Sequence, residues 1–182
     1  MNESLVVTLI GADRPGIVAR LAALAAEAGA GWQESRMARL AGQFAGIVLL
    51  DVPGKSLGTL ERSLGGLESE GLRLNIERGP AAVRTPEPRA VTLELIGHDR
   101  QGIVRDISAA LARHHVTIDE LDTEVESASM SGEPLFRARA RVLLPDEKAL
   151  ERVRADLENI ADELMVELTV ETAPAAAPQR RG

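Results

Sequence analysis

"LIGADRPGIV" at residues 9–18 and "LIGHDRQGIV" at residues 95–104 are nearly the same stretch written twice. Each passes from an apolar run through a polar turn with glycine into a second apolar run. An offset of 86 sets Gly11 on Gly97, Asp13 on Asp99, Arg14 on Arg100, Gly16 on Gly102, and Ile17 and Val18 on Ile103 and Val104. The correspondence outlasts the identity. Residues 5–10 and 91–96 are short and rich in β-branched residues, which predicts strands. Helical periods follow, as Ile17, Leu21, Leu24, Ala28 and as Ile103, Ile107, Leu111, His114. Strand-like stretches come next around 31–39 and 116–126, then apolar strands near 43–52 and 135–144. A second helical period runs through Leu57, Leu60, Leu64, Leu67, mirrored by Leu150, Val153, Leu157, Ile160. Last strands lie at 73–77 and 166–171. The order in each copy is strand, helix, strand, strand, helix, strand. That predicts an α+β fold of two tandem ferredoxin-like βαββαβ units, each a four-stranded sheet with both helices on one face.

The copies differ most between their middle strands. Phe44 matches Phe136 at an offset of 92, so six extra residues enter the second hairpin, within "SASMSGEP" at 127–134. Domain boundaries are expected at 1–79 and 90–172. They are joined by a proline-containing linker at 80–89 and followed by a disordered tail at 173–182.

Composition narrows the function. The 182 residues are 45% hydrophobic with 2% aromatic, which calls for aliphatic cores. The formal charge is −7: residues 1–88 hold nine Lys/Arg against ten Asp/Glu, and residues 89–182 twelve against eighteen. Neither half has the positive excess that neutralises phosphates, so direct nucleic-acid binding is disfavoured. The absence of cysteine excludes disulfides and thiolate chemistry. No signal peptide or membrane span is expected, and a cytoplasmic location follows. No catalytic or metal-ligand spacing stands out, so neither a metal nor a cofactor is expected.

Two readings of the duplicated turn stand side by side. In one, Asp13 or Asp99 caps a helix, Pro15 occupies its first position and glycine closes the turn. In the other, free amides at a helix start, with the positive end of its dipole, receive a carboxylate, while the aspartate accepts from an ammonium group. A small zwitterion suits the second reading. Gly16 and Gly102 would let the ligand approach the backbone.

The βαββαβ order with D-R-x-G-I-V at the first turn resembles the ACT domain, a regulatory module that commonly binds amino acids. "ESRMARLAGQFAGIVLL" at 34–50 and "IDELDTEVESASMSGEPLF" at 118–136 are similar to the two halves of the glycine cleavage system transcriptional repressor family. The resemblance covers about residues 4–172. It implies a non-catalytic, amino-acid-responsive regulator that contacts a DNA-bound transcriptional activator. A regulatory subunit or interaction module for an amino-acid metabolic enzyme is the alternative. It also implies an effector, glycine or serine, at a junction between modules. The candidate ligand residues are then Ala12, Asp13, Arg14, Pro15, Gly16 and Ile17 in the first turn, and His98, Asp99, Arg100, Gln101, Gly102 and Ile103 in the second. Facing second-strand starts would add Gln33, Glu34, Asp119 and Glu120, where many such domains carry an asparagine.

Other features have plainer readings. Trp32 is expected to pack at the interface between copies. Loop His98 is either a carboxylate partner or solvated, and His114 and His115 close a helix. Arg137, Arg139 and Arg141 should face Asp122, Glu124 and Glu126 as a cross-strand charge ladder. "FAGIVLLDV" at 44–52 is apolar on both faces, which predicts that its far face is covered by the other copy or a second chain. Sheet contact with homodimerisation is the favoured form.

Overall fold

The computed structural model describes residues 1–79, 89–127, 133–146, 148–164 and 166–172. The chain divides into two units, Met1–Arg84 and Thr85–Gly182. The first contains β1 (Asn2–Ala12), α1 (Ile17–Glu27), β2 (Gly31–Leu40), β3 (Gln43–Pro53), α2 (Leu57–Gly65) and β4 (Leu72–Gly79). The second contains β5 (Arg89–His98), α3 (Ile103–Arg113), β6 (Thr117–Ser127), β7 (Pro134–Leu144), α4 (Ala149–Leu164) and β8 (Val166–Thr172). Each is a four-stranded sheet, ordered β2-β3-β1-β4 and β6-β7-β5-β8, with every neighbouring pair antiparallel. The βαββαβ prediction holds in both units.

The expected periodicities build the cores. Ile17, Leu21 and Leu24 of α1 and Leu57, Leu60 and Leu64 of α2 are buried against Leu5, Val7 and Leu9 of β1 and Val48 and Leu50 of β3. In the second unit Ile103, Ile107 and Leu111 meet Val153 and Leu157 over Val91, Leu93 and Leu95. Each fully buried leucine contributes about 1.5–3 kcal/mol relative to an exposed one, so this stripe holds the helices to the sheet. One helical prediction changes character. α2 stops at Gly65, and Leu67 is buried from a 3-10 turn, Gly66–Glu70, that leads into Gly71 at φ 86. Two successive glycines loosen the α-helix there, and the tighter turn keeps Leu67 pointing inward.

Registers also match across the duplication. Thr8 pairs with Ile47, and Glu94 with Arg139, which preserves offsets of 86 and 92. In the first unit Leu40 pairs with Gln43 around a two-residue turn in which Ala41 and Gly42 both have positive φ, 48° and 76°. In the second, Ser127 pairs with Pro134, and the longer loop expected at 127–134 falls mostly outside the described residues. The linker and tail predictions also lie outside them, except that Arg89 already opens β5. Among the described residues no helix is long and apolar enough to cross a membrane.

Candidate functional site: the duplicated turn

β1 delivers the chain to the turn at Ala12. The Asp13 N–H then donates to the Gly42 carbonyl at 2.9 Å, bracing the turn on the β2–β3 hairpin. Gly16 adopts φ 93°, ψ −4°, and its carbonyl accepts the first helical bond from the Arg20 N–H at 2.8 Å. The amides of Ile17, Val18 and Ala19 precede that bond and gain no partner from the helix. A Cβ built on Gly16 would meet nothing within 4 Å. An open backbone surface beside helix-start amides and the positive end of the dipole is the setting in which anions are favoured. The second turn repeats the backbone: Gly102 has φ 98°, ψ −4°, the Asp99 N–H donates to Pro134 at 3.1 Å, and the Asp106 N–H donates to Gly102 at 2.9 Å.

Three details of the capping reading are corrected. The residue before each helix is a left-handed glycine, and no side chain caps either start. Asp13 instead accepts from the Arg39 Nη1 at 3.3 Å. Pro15 precedes the capping glycine and does not occupy the first helical position. The side chains of Ile17 and Ile103 are buried in the two cores, and only their backbones are at the turn surface.

The two turns carry different covers. At the first, Arg14 donates to the Glu70 carbonyl at 3.2 Å and to its carboxylate at 3.0 Å, while Arg20 reaches the same carboxylate at 3.4 Å. The Arg14 hydrogen bond, with help from Arg20, holds the Glu70 carboxyl below the usual carboxylate range. At the second, Arg105 and Asp106 replace Ala19 and Arg20. Arg105 binds Asp106 through two contacts of 2.7 and 3.2 Å, which lower the Asp106 carboxyl. A Cβ on Gly102 would lie 2.9 Å from the Arg105 Nη2, so this guanidinium covers the glycine that is bare in the first copy. Arg100 and Gln101 occupy the exposed part of this turn, and His98 Nδ1 lies 3.6 Å from Glu133.

The second-strand starts share a feature that composition does not reveal. Register breaks between Trp32 and Glu34 and between Ile118 and Glu120 make Gln33 and Asp119 the bulged residues of β2 and β6. A bulge turns one side chain away from the ladder and is common beside functional sites. Asp119 is engaged by Arg141. Within one unit these residues do not join the turn. Glu34 lies level with Leu49 and Val6, five residues before Gly11, so about 17 Å of strand separates the two halves of the candidate site.

Elsewhere, the Trp32 indole N–H donates to the Ser35 Oγ at 3.2 Å while its ring packs partly on the first unit's own core. His114 meets Asp156 of α4 at 3.0 Å, and that contact together with Arg113 lowers the Asp156 carboxyl. Among the described residues no cluster is suited to hold a metal. The charge ladder forms in part: Arg137 pairs with Glu124 and Glu126, at 3.6 and 3.0 Å, while Arg141 pairs with Asp119, outside the expected acidic row. Arg139, opposite Asp122 in register, reaches instead to Glu94 of β5 at 3.4 Å, which sequence reasoning missed. A concavity of about 470 Å³ lies over this ladder, away from the turn, lined by Glu94, Asp122, Glu124, Arg137 and Arg139.

Two ACT-domain models match the chain, over residues 3–76 and 85–167. The chain belongs to the ACT-domain family. It is 31% identical over 126 residues to the glycine cleavage system transcriptional repressor of Escherichia coli K12, a stretch that spans 68% of this chain and 66% of that protein. The same figures hold for the repressor of Shigella flexneri. The matched stretch is thus just under two thirds of those relatives' length. Among solved structures, a protein of unknown function from Galdieria sulphuraria is similar at 32% identity and TM-score 0.81, covering 96% of this chain and all of that one. A candidate glycine cleavage system transcriptional repressor has the same fold, at TM-score 0.69 and 18% identity over 95% of this chain and 98% of that one. The duplicated turns are therefore the first strand–helix turns of two ACT units in tandem, and the relatives support a regulatory role.

Proposed function

We propose that this tandem ACT protein is a non-catalytic, cytoplasmic regulator that responds to a small amino acid, glycine or serine, and acts through protein contacts. Its partner would be a DNA-bound activator of genes for glycine cleavage or amino-acid metabolism. The observation that carries the ligand half of this reading is the bare, left-handed Gly16 at the amide-bearing start of α1. The carboxylate would lie on those amides. The ammonium group would be met by acceptors from a neighbouring unit's second strand, such as Gln33, Glu34, Asp119 or Glu120, because one unit holds its own second-strand start about 17 Å away. An acidic chain suits this role, since the activator supplies the contact with DNA. Calorimetry with glycine, serine and larger amino acids is the direct test. Saturable heat with the small ligands, lost in a folded variant altered at the turn, supports the reading. No heat with any amino acid overturns its ligand half. Co-purification with an activator tests the other half separately.

A further inference from the structure

The duplication contains its own control for the outer face of the first sheet. At matched registers β3 presents Ala45, Ile47 and Leu49 where β7 presents Arg137, Arg139 and Arg141. Beside them β1 has Val6, Thr8 and Ile10 where β5 has Thr92, Glu94 and Ile96. The same fold therefore accepts charges in place of Ala45, Ile47, Leu49 and Thr8, so the aliphatic residues of β3 are not needed to build it, whereas Ile10 is matched by an isoleucine in the second unit. Yet Ile47 is 45% and Ile10 39% exposed. An aliphatic patch on a sheet face that the fold itself does not require marks a contact surface.

The rim of the patch says what covers it. Along β1 the Val6 row is flanked by Glu77 of β4 and by Glu34 of β2, through Leu49. The Thr8 row carries Asn75 and Arg36, and the Ile10 row carries Arg73. On β4 the face runs from acidic Glu77 to basic Arg73, and on β2 Glu34 and Arg36, which pair with each other at 3.5 Å within one copy, run in the same sense beside the aliphatic residues. We propose that this face of the first ACT unit binds the same face of a second copy of this chain, about a twofold axis that lies midway between the two sheets, parallel to them, and runs across the strands. That operation reverses the strands, so Glu77 of each copy meets Arg73 of the other, and Glu34 meets Arg36. Satisfying both pairs sets the axis one residue nearer the Val6 row at the β2 edge than at the β4 edge. The sheets then cross at about 27°, the size of angle that aligned sheets adopt. A twofold axis along the strands would set acid on acid. The face spans about 500 Å² per protomer, which gives a total near the lower limit for a specific interface and a concentration-dependent dimer.

Sedimentation velocity of the full chain from about 1 to 100 μM tests this, in the range where an interface of that size is expected to dissociate. The wild type should pass from monomer to dimer. Ile47→Arg copies the residue that the second unit carries at this register, so it should fold with an unchanged circular dichroism spectrum and remain monomeric. Glu77→Arg should weaken the dimer at least tenfold, and the exchange Arg73→Glu with Glu77→Arg should restore it. Leu121→Arg, on exposed β6 of the other sheet, should leave it intact. A wild type monomeric throughout overturns the proposal, as does a folded Ile47→Arg protein that dimerises normally. Failure of the charge exchange to restore the dimer overturns the antiparallel arrangement.

Discussion

Substituting Gly16 with alanine isolates the strain that the turn imposes. Gly16 sits at φ 93°, and an added Cβ meets nothing within 4 Å, so crowding contributes nothing and only the backbone conformation is penalised. A non-glycine residue in the left-handed region costs about 1–2 kcal/mol. For a unit of this size each kcal/mol lowers the melting temperature by about 4–8 °C, so the first unit's transition should fall by about 4–16 °C. Asparagine, which tolerates this region better, should fall less, and valine more, because branching at Cβ makes positive φ a true outlier. Gly65→Ala is the matched control: Gly65 has helical angles, φ −56° and ψ −29°, and open space around its Cβ. The same substitution there should stabilise by about 0.4–1 kcal/mol, through the lost entropy of the unfolded chain. Differential scanning calorimetry on the four variants reads all of these shifts. A Gly16→Ala protein that melts with the wild type would refute the requirement for a left-handed turn. So would equal losses at Gly16 and Gly65, since left-handed and helical backbones respond to alanine with opposite signs.

Removing the Arg105 cover by Arg105→Ala should bare Gly102, raising glycine or serine uptake from one equivalent per chain to two by calorimetry; unchanged stoichiometry would show that the guanidinium does not block the second turn. The carboxyls of Glu61, Glu70, Asp106, Asp146 and Asp156 are each held low by arginine or histidine partners. Their contribution is therefore complete above the unfolded carboxylate pKa of about 4 and disappears as pH falls through the lower folded values. The melting temperature should hold from about pH 7 to 5 and drop below about pH 4, and Asp156→Asn should lower it at neutral pH but not at about pH 2. A loss that persists unchanged at the acid end would contradict this. Fluorescence anisotropy should detect no appreciable binding to duplex DNA at about 150 mM salt, where residual backbone attraction is screened.

The repeat, the strand and helix order and the Arg137 part of the charge ladder were legible in the sequence because each rests on local periodicity. Helical spacing placed Leu57, Leu60 and Leu64 on one buried stripe, and alternation along β6 and β7 placed carboxylates opposite guanidiniums. The expectation that residues 44–52 are apolar on both faces also held as pattern, with Val48 and Leu50 inward and Ile47 outward. Tertiary structure decided what local spacing does not encode. Whether Gly16 is a helical residue or a left-handed cap depends on how β1 enters α1 against the β2–β3 hairpin. The partners of the turn's charges, Arg39 for Asp13 and Glu70 for Arg14, come from 26 and 56 residues away, where only folding brings them close. The bulges that turn out Gln33 and Asp119 exist only once β2 and β6 pair with their neighbours, since a register break is a relation between two strands and not a property of either.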